Sequence, residues 1–104
     1  MIVIKQTKVF TEWLRHLRDR DARNRIEVRL ARLAKGNMGQ TRSVGAGVSE
    51  MKIDYGPGYR VYFTKRGFEL IVLLCGGDKS SQNDDIELAS HLARSWKDED
   101  DHGA

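Results

Sequence analysis

The spacing of apolar residues along the chain changes twice, from a helical period to strict alternation and back to a helical period. Ile2, Val3 and Ile4 form a β-branched run too short for a helix and predict a first strand, with Thr7 placed to cap the helix that follows. Phe10, Trp13, Leu14 and Leu17 then recur at three- and four-residue spacing and make one buried stripe. Asp19 is a second cap. Ala22, Ile26, Leu30, Leu33 and Ala34 trace another helical stripe that ends at Gly36-Asn37-Met38-Gly39, so the two helices predict a hairpin.

From Val48 onward the residues alternate, Ser49, Met51 and Ile53 on one side and Glu50, Lys52 and Asp54 on the other. Tyr55-Gly56-Pro57-Gly58 supplies turn chemistry, and the next strand sets Tyr59, Val61 and Phe63 against Arg60, Tyr62 and Thr64. After a turn at Lys65-Arg66-Gly67, Leu70 to Leu74 is continuously apolar, as a strand covered on both faces requires. Gly76 and Gly77 are expected to end it. Ser80 or Ser81 then caps a last helix, with Asp84 and Asp85 in its positively polarised first turn and Ile86, Ala89, Leu92, Ala93 and Trp96 as its buried stripe. The predicted order is β-α-α-β-β-β-α, an α+β domain with an N-terminal helical hairpin on a small antiparallel sheet and a C-terminal helix.

The chain's 104 residues fit one domain, placed at 1–97, with an acidic tail over 98–104 expected to be disordered. Charged residues are 32% and apolar residues 39% of the chain, a balance that excludes wholesale disorder. The net charge of +3 understates how basic the domain is, because Asp98, Glu99, Asp100 and Asp101 cancel cations that lie elsewhere. A basic surface favours RNA, DNA or an acidic partner protein. A lone Cys75, no signal-like apolar run at the start and no stretch near the roughly 20 apolar residues of a membrane span point to a cytoplasmic protein with no membrane partner.

Three histidines scattered over His16, His91 and His102 have no ligand spacing for zinc, and no phosphate-binding loop or nucleophile elbow follows a strand, so neither metal nor cofactor is expected. The remaining chemistry is a polar sheet face carrying Lys52, Arg60 and Tyr62 with Glu50 beside them, near Asp78, Lys79 and a helix N-terminus. Cations there would stabilise the extra negative charge of a phosphorane, Arg60 with its planar fork above all. Tyr62 or Tyr59 would stack on an unpaired base. The plainer alternative is that Glu50 and Lys52 form a surface pair of little energetic weight and that Arg20, Arg23, Arg25, Arg29, Arg32 and Lys35 merely solvate the second helix.

The string Val48-Ser-Glu-Met-Lys-Ile-Asp-Tyr-Gly-Pro-Gly-Tyr-Arg-Val-Tyr-Phe63, followed by Leu73-Leu-Cys-Gly-Gly-Asp-Lys-Ser-Ser-Gln82, resembles the RelE/ParE toxin superfamily, in its HigB-like or addiction-module killer branch. Trp13-Leu14, Arg29-Leu30 and Gly36-Asn37 carry the likeness into the helical hairpin, so that it spans residues 1–97. The resemblance implies a RelE-like fold and a type II toxin held in check by a small antitoxin, typically of helix-turn-helix type. Operator DNA would be met only through that complex. RelE-like members cut mRNA on the ribosome by attack of a ribose 2′-OH on the adjacent phosphate, which needs a proton acceptor, a charge clamp and a proton donor.

By motif the resemblance makes Arg60 the clamp and Lys79 a second one, with Lys52 or Glu50 as acceptor and Tyr62 as a stacking or orienting group. Arg29, Arg32, Lys35, Tyr59 and Lys65 are the further RNA-binding candidates. The general acid has no evident residue, His91 and Trp96 being the nearest in the C-terminal segment. A ParE-like gyrase poison without a catalytic site, or an inactive binding or co-repressor subunit, would use the same fold.

Overall fold

A computed structural model describes residues 2–97; the acidic segment expected to form a disordered tail lies outside the described residues. Strand β1 (Val3–Gln6) leads into helices α1 (Lys8–Arg15) and α2 (Arg20–Ala34). Both helices start where the caps predict: Thr7 Oγ1 accepts from Phe10 N at 3.0 Å and the Asp19 carboxylate from Ala22 N at 3.1 Å. Strands β2 (Thr41–Gly45), β3 (Val48–Ile53), β4 (Tyr59–Arg66) and β5 (Leu70–Gly77) follow, then a 3₁₀ turn at Lys79–Ser81 and helix α3 (Gln82–Ser95).

The sheet order is β1-β5-β4-β3-β2, with β1 parallel to β5 and every other neighbour antiparallel. Among the described residues the molecule is therefore α+β with a five-stranded mixed sheet and three α-helices. This corrects the expected β-α-α-β-β-β-α order and its antiparallel sheet in two respects. Strand β2 is additional. It is an edge strand whose Thr41, Arg42 and Ser43 need no apolar stripe, so hydrophobic periodicity is silent about it. Strand β1 lies beside the last strand, and with both hairpin helices in the connection the pairing can run parallel.

The sheet is covered on both faces. Phe10, Ile26 and Leu33 of the hairpin pack on Met51, Ile53, Val61, Phe63, Ile71 and Leu73, whereas Ala89, Ala93 and Trp96 cover Val48, Tyr62, Val72, Leu74 and Cys75. Burial on both sides explains why β5 reads as an unbroken apolar run. That strand continues through Gly76 and Gly77, which the sequence was expected to use as a stop. Both glycines answer close packing: a Cβ on Gly76 would sit 2.4 Å from the Trp13 ring and one on Gly77 1.8 Å from Asp85 Oδ2. Asp78 caps the 3₁₀ turn, while Ser81 precedes α3 without a side-chain capping bond.

One hydroxyl joins α1 to the sheet. The β4–β5 register slips between Tyr62 and Phe63, so Leu74 has no partner across the ladder, and Thr7 Oγ1 donates to its carbonyl at 2.6 Å while also capping α1. Thr7→Val keeps the shape and removes both bonds, leaving a buried acceptor and an uncapped helix. Urea unfolding should show a loss of about 2–3 kcal/mol.

Candidate functional site

Two cross-strand rows build the site on the α3 side of the sheet. Arg42, Glu50, Tyr62 and Cys75 are successive partners across β2, β3, β4 and β5, and Lys52, Arg60 and Gly77 form the adjoining row. Alternation places both rows on one face. Helix α3 covers the β4–β5 part of this face and the Val48 end of β3 but leaves the Lys52 end of β3 and the start of β2 open. There a cleft of about 320 Å³ opens between Gln40, Arg42, Glu50, Lys52, Arg60 and Gln82.

Glu50 organises the cleft. Its carboxylate is 3% exposed and accepts from Arg42 Nε at 2.9 Å and from Gln82 Nε2 at 2.9 Å, with Arg60 Nε 3.8 Å away. Burial by itself pushes the carboxyl pKa up, but the hydrogen bonds from Arg42 and Gln82 and the charge of Arg42 outweigh it and hold Glu50 below the ordinary carboxylate value. Gln82 is the first residue of α3, so the same carboxylate pins the start of that helix to the sheet.

Arg60 is held by a different anchor. One terminal nitrogen donates to the Gly58 carbonyl at 2.6 Å, and only 8% of the side chain is exposed. Among the described residues its buried Nε has no hydrogen-bond partner. The short turn makes this possible, since Gly58 has φ +81° and a Cβ there would lie 3.1 Å from Arg60 Nη1. Arg42, in contrast, keeps 61% of its side chain exposed while bonded to Glu50. The cleft thus has a fixed cation in its wall, a second at its mouth and Lys52 beside them.

The predicted site residues separate into two groups. Lys52, Arg60 and Glu50 come together in the cleft. Tyr62 faces it but is fully buried beneath α3, which leaves no ring face for a base; burial and the neighbouring Glu50 charge both raise its pKa. Lys79 is exposed on the 3₁₀ turn, with its Cβ 3.8 Å from where a Cβ on Gly58 would lie, beside the cleft and outside its lining. Tyr59 lies on the opposite face, edge-on to Trp13 at 6.4 Å between ring centroids. Lys65 is on that same opposite face near the far end of β4, and Lys35 is the exposed C-cap of α2. Arg29 donates to the Lys52 carbonyl at 2.8 Å, and Arg32 lines a second groove with it.

Arg42 and Gln82 were missed by sequence reasoning. The available signal for Arg42 was Gly45-Ala46-Gly47 between Val44 and Val48. Ala46 and Gly47 have φ of +56° and +74°, the pattern of a tight two-residue hairpin that forces a strand before it. Gln82 has no comparable local signal, because its role depends on where α3 docks.

Chemically the cleft suits an anion. The preset guanidinium of Arg60 would meet phosphate oxygens without having to reorganise, with a second guanidinium at the mouth and an ammonium beside it. The Cys75 thiol is pushed up to about 12 by burial and then by the Asp85 charge, so it stays protonated and unreactive. Among the described residues no group of three or more His, Cys, Asp or Glu side chains is arranged to hold a metal ion, and no helix is long and apolar enough to cross a membrane.

No family model matches the chain. It is 46% identical over 93 residues to an uncharacterized protein of Haemophilus influenzae, an alignment covering 89% of this chain and 94% of that protein. The chain belongs to the same family as that protein.

Proposed function

We propose that this chain is a RelE/ParE-type toxin, an endoribonuclease that cuts mRNA in the cytoplasm on the ribosome and is neutralised by a cognate antitoxin. The observation that carries the reading is the anion cleft, in which Arg60, Arg42 and Lys52 converge on one end of the sheet around a carboxylate that bonds Arg42 and lies 3.8 Å from Arg60. The Gly58-Tyr59-Arg60-Val61-Tyr62-Phe63 segment supplies the buried cation of that cleft, and it is one of the segments that carry the resemblance. A RelE-like topology is part of the proposal, with β2 as the edge strand that brings Arg42 to the site.

In the proposed reaction a ribose 2′-OH attacks the adjacent phosphorus, the bond from phosphorus to the 5′ oxygen breaks, and that oxygen takes a proton from water, leaving a 2′,3′-cyclic phosphate and a free 5′-OH. Arg60 and Arg42 bind the non-bridging oxygens as negative charge builds on them. The 2′ proton passes to a group supplied by the ribosome or to water, since Glu50 has its oxygens occupied, and Lys52 stands beside the phosphate as a further cation of the cleft. The scarcity of acceptors favours a second reading, a gyrase-binding toxin in which the cleft is a contact surface alone.

Expression in bacterial cells separates the two. The ribonuclease reading predicts growth arrest with new mRNA 5′ ends inside coding regions and intact plasmid DNA, relieved by Arg42→Ala. Arrest with protein-linked breaks in plasmid DNA and unaltered mRNA would transfer the assignment to gyrase.

A further inference from the structure

A second groove, of about 550 Å³, runs along α2 against the end of β3. From Asp21 to Arg32 it follows the helix for on the order of 16 Å at the α-helical rise. Its floor is a stacked pair, the Arg25 guanidinium lying 4.4 Å from the centroid of the Tyr55 ring. Asp21 and Asp54 stand on its walls at this end, and Arg29 and Arg32 line the other. Among the described residues neither Arg29 nor Arg32 is within ion-pair distance of a carboxylate. Desolvation and then the charge of Arg32 lower the pKa of Arg29.

The groove and the anion cleft share a wall. Arg29 donates to the carbonyls of Lys52 at 2.8 Å and Gln40 at 3.4 Å, and both residues line the cleft on the other side. A polyanion leaving the cleft over the β2–β3 edge would therefore meet Arg29 and Arg32 next.

We infer that the α2 groove is a nucleotide subsite for the RNA strand whose neighbouring phosphate occupies the cleft, an inference that rests on the ribonuclease reading above. Arg32 takes a phosphate oxygen, Arg29 supplies charge from its anchored position, and an unpaired base stacks on the Arg25–Tyr55 pair. Flat guanidinium and aromatic surfaces accept any base, but Asp21 and Asp54 are acceptors only. They favour bases that carry an exocyclic amino group over uracil. A protein partner would also find apolar surface here, as Val28 is 50% exposed, but the path of cations continuous with the cleft fits a phosphodiester chain better.

Binding of 2′-O-methyl RNA, which lacks the attacking hydroxyl, tests this on the full chain. Fluorescence anisotropy would compare hexaadenylate with hexauridylate, and amide shifts of Arg42, Glu50, Arg60 and Gln82, which line the cleft and not the groove, would follow a 2′-O-methyl dinucleotide in the cleft. Arg25 and Arg32 are exposed, so alanine substitutions leave the core untouched. The expected result is tighter binding of hexaadenylate, weakened about tenfold in the Arg25→Ala/Arg32→Ala variant with a shallower salt dependence, while the dinucleotide shifts persist. Equal hexaadenylate affinity in wild type and variant would overturn the subsite, and equal affinity for the two hexamers would overturn its base preference. If the wild type binds neither hexamer nor dinucleotide, the cleft reading itself fails.

Discussion

Replacing Arg60 with alanine should lower RNA cleavage by on the order of a hundredfold or more, because the clamp acts on charge that develops only in the transition state. The side chain is already fixed by the Gly58 carbonyl at 2.6 Å and by burial, so no ordering entropy is spent when the phosphorane forms. The same burial means that alanine also leaves a gap, so part of the loss belongs to the fold. Arg60→Lys removes that ambiguity. It keeps one positive charge and most of the volume but loses the planar fork that meets two oxygens at once. A lysine variant with near-native thermal unfolding and cleavage still reduced at least tenfold, in single-turnover assays with saturating RNA, is the expected outcome. Full activity in Arg60→Lys would mean that bulk charge is enough and that the fork has no role.

Glu50→Ala should be the most damaging single change to stability at the site, about 3 kcal/mol, since it strands Arg60 without its nearest carboxylate and releases Gln82 from the sheet. Arg42 is largely exposed and loses less. The effect depends on pH in a defined direction. Glu50 has a folded pKa below its unfolded value of about 4.3, so its contribution is complete above roughly pH 5 and disappears as pH falls through the folded pKa. Asp78, held low first by the Ser80 hydroxyl, adds a dependence of the same sign. Asp85 has the opposite sign: burial raises its pKa, so its protonated form favours folding and its ionisation above the unfolded pKa erodes stability. The stability difference between wild type and Glu50→Gln, followed by urea unfolding from pH 7 to pH 3, isolates Glu50 and should shrink steadily below pH 5. A difference independent of pH would show that the carboxylate's charge is not what holds the cleft.

Most of the architecture was legible from local pattern because the elements that carry core are amphipathic in a regular way. Phe10 and Leu14 in α1, Ile26, Leu30 and Leu33 in α2, and Met51 and Ile53 opposite Glu50 and Lys52 in β3 each announce a buried side. Strand β2 carries almost no core and is held by ladder hydrogen bonds and a tight turn, so apolar spacing could not reveal it. Arg42 was lost with it. The site was half legible for a related reason: alternation identifies the face on which Glu50, Lys52, Arg60 and Tyr62 lie, but which of them stays open depends on where α3 lands. The helix stops over Tyr62 and leaves Arg60 at its margin, a tertiary outcome set partly by the bare backbone of Gly77 against Asp85.

The same network ties structure to the proposed activity. Glu50 holds Arg42 and Gln82 directly and faces Arg60, so a partner that drew α3 away from the sheet would disturb the anion cleft through Gln82 without touching RNA. Glu50 in this account is a positioning residue, and the Gln variant that keeps an acceptor should retain more activity than alanine.

The most direct test of the central claim is to incubate the purified protein with a defined mRNA, with and without translating ribosomes, and to map the cut ends. Ribosome-dependent cuts that leave 2′,3′-cyclic phosphates and 5′-OH ends and that weaken in Arg60→Lys are the expected result. Intact mRNA in the presence of a preparation that still arrests growth would contradict it.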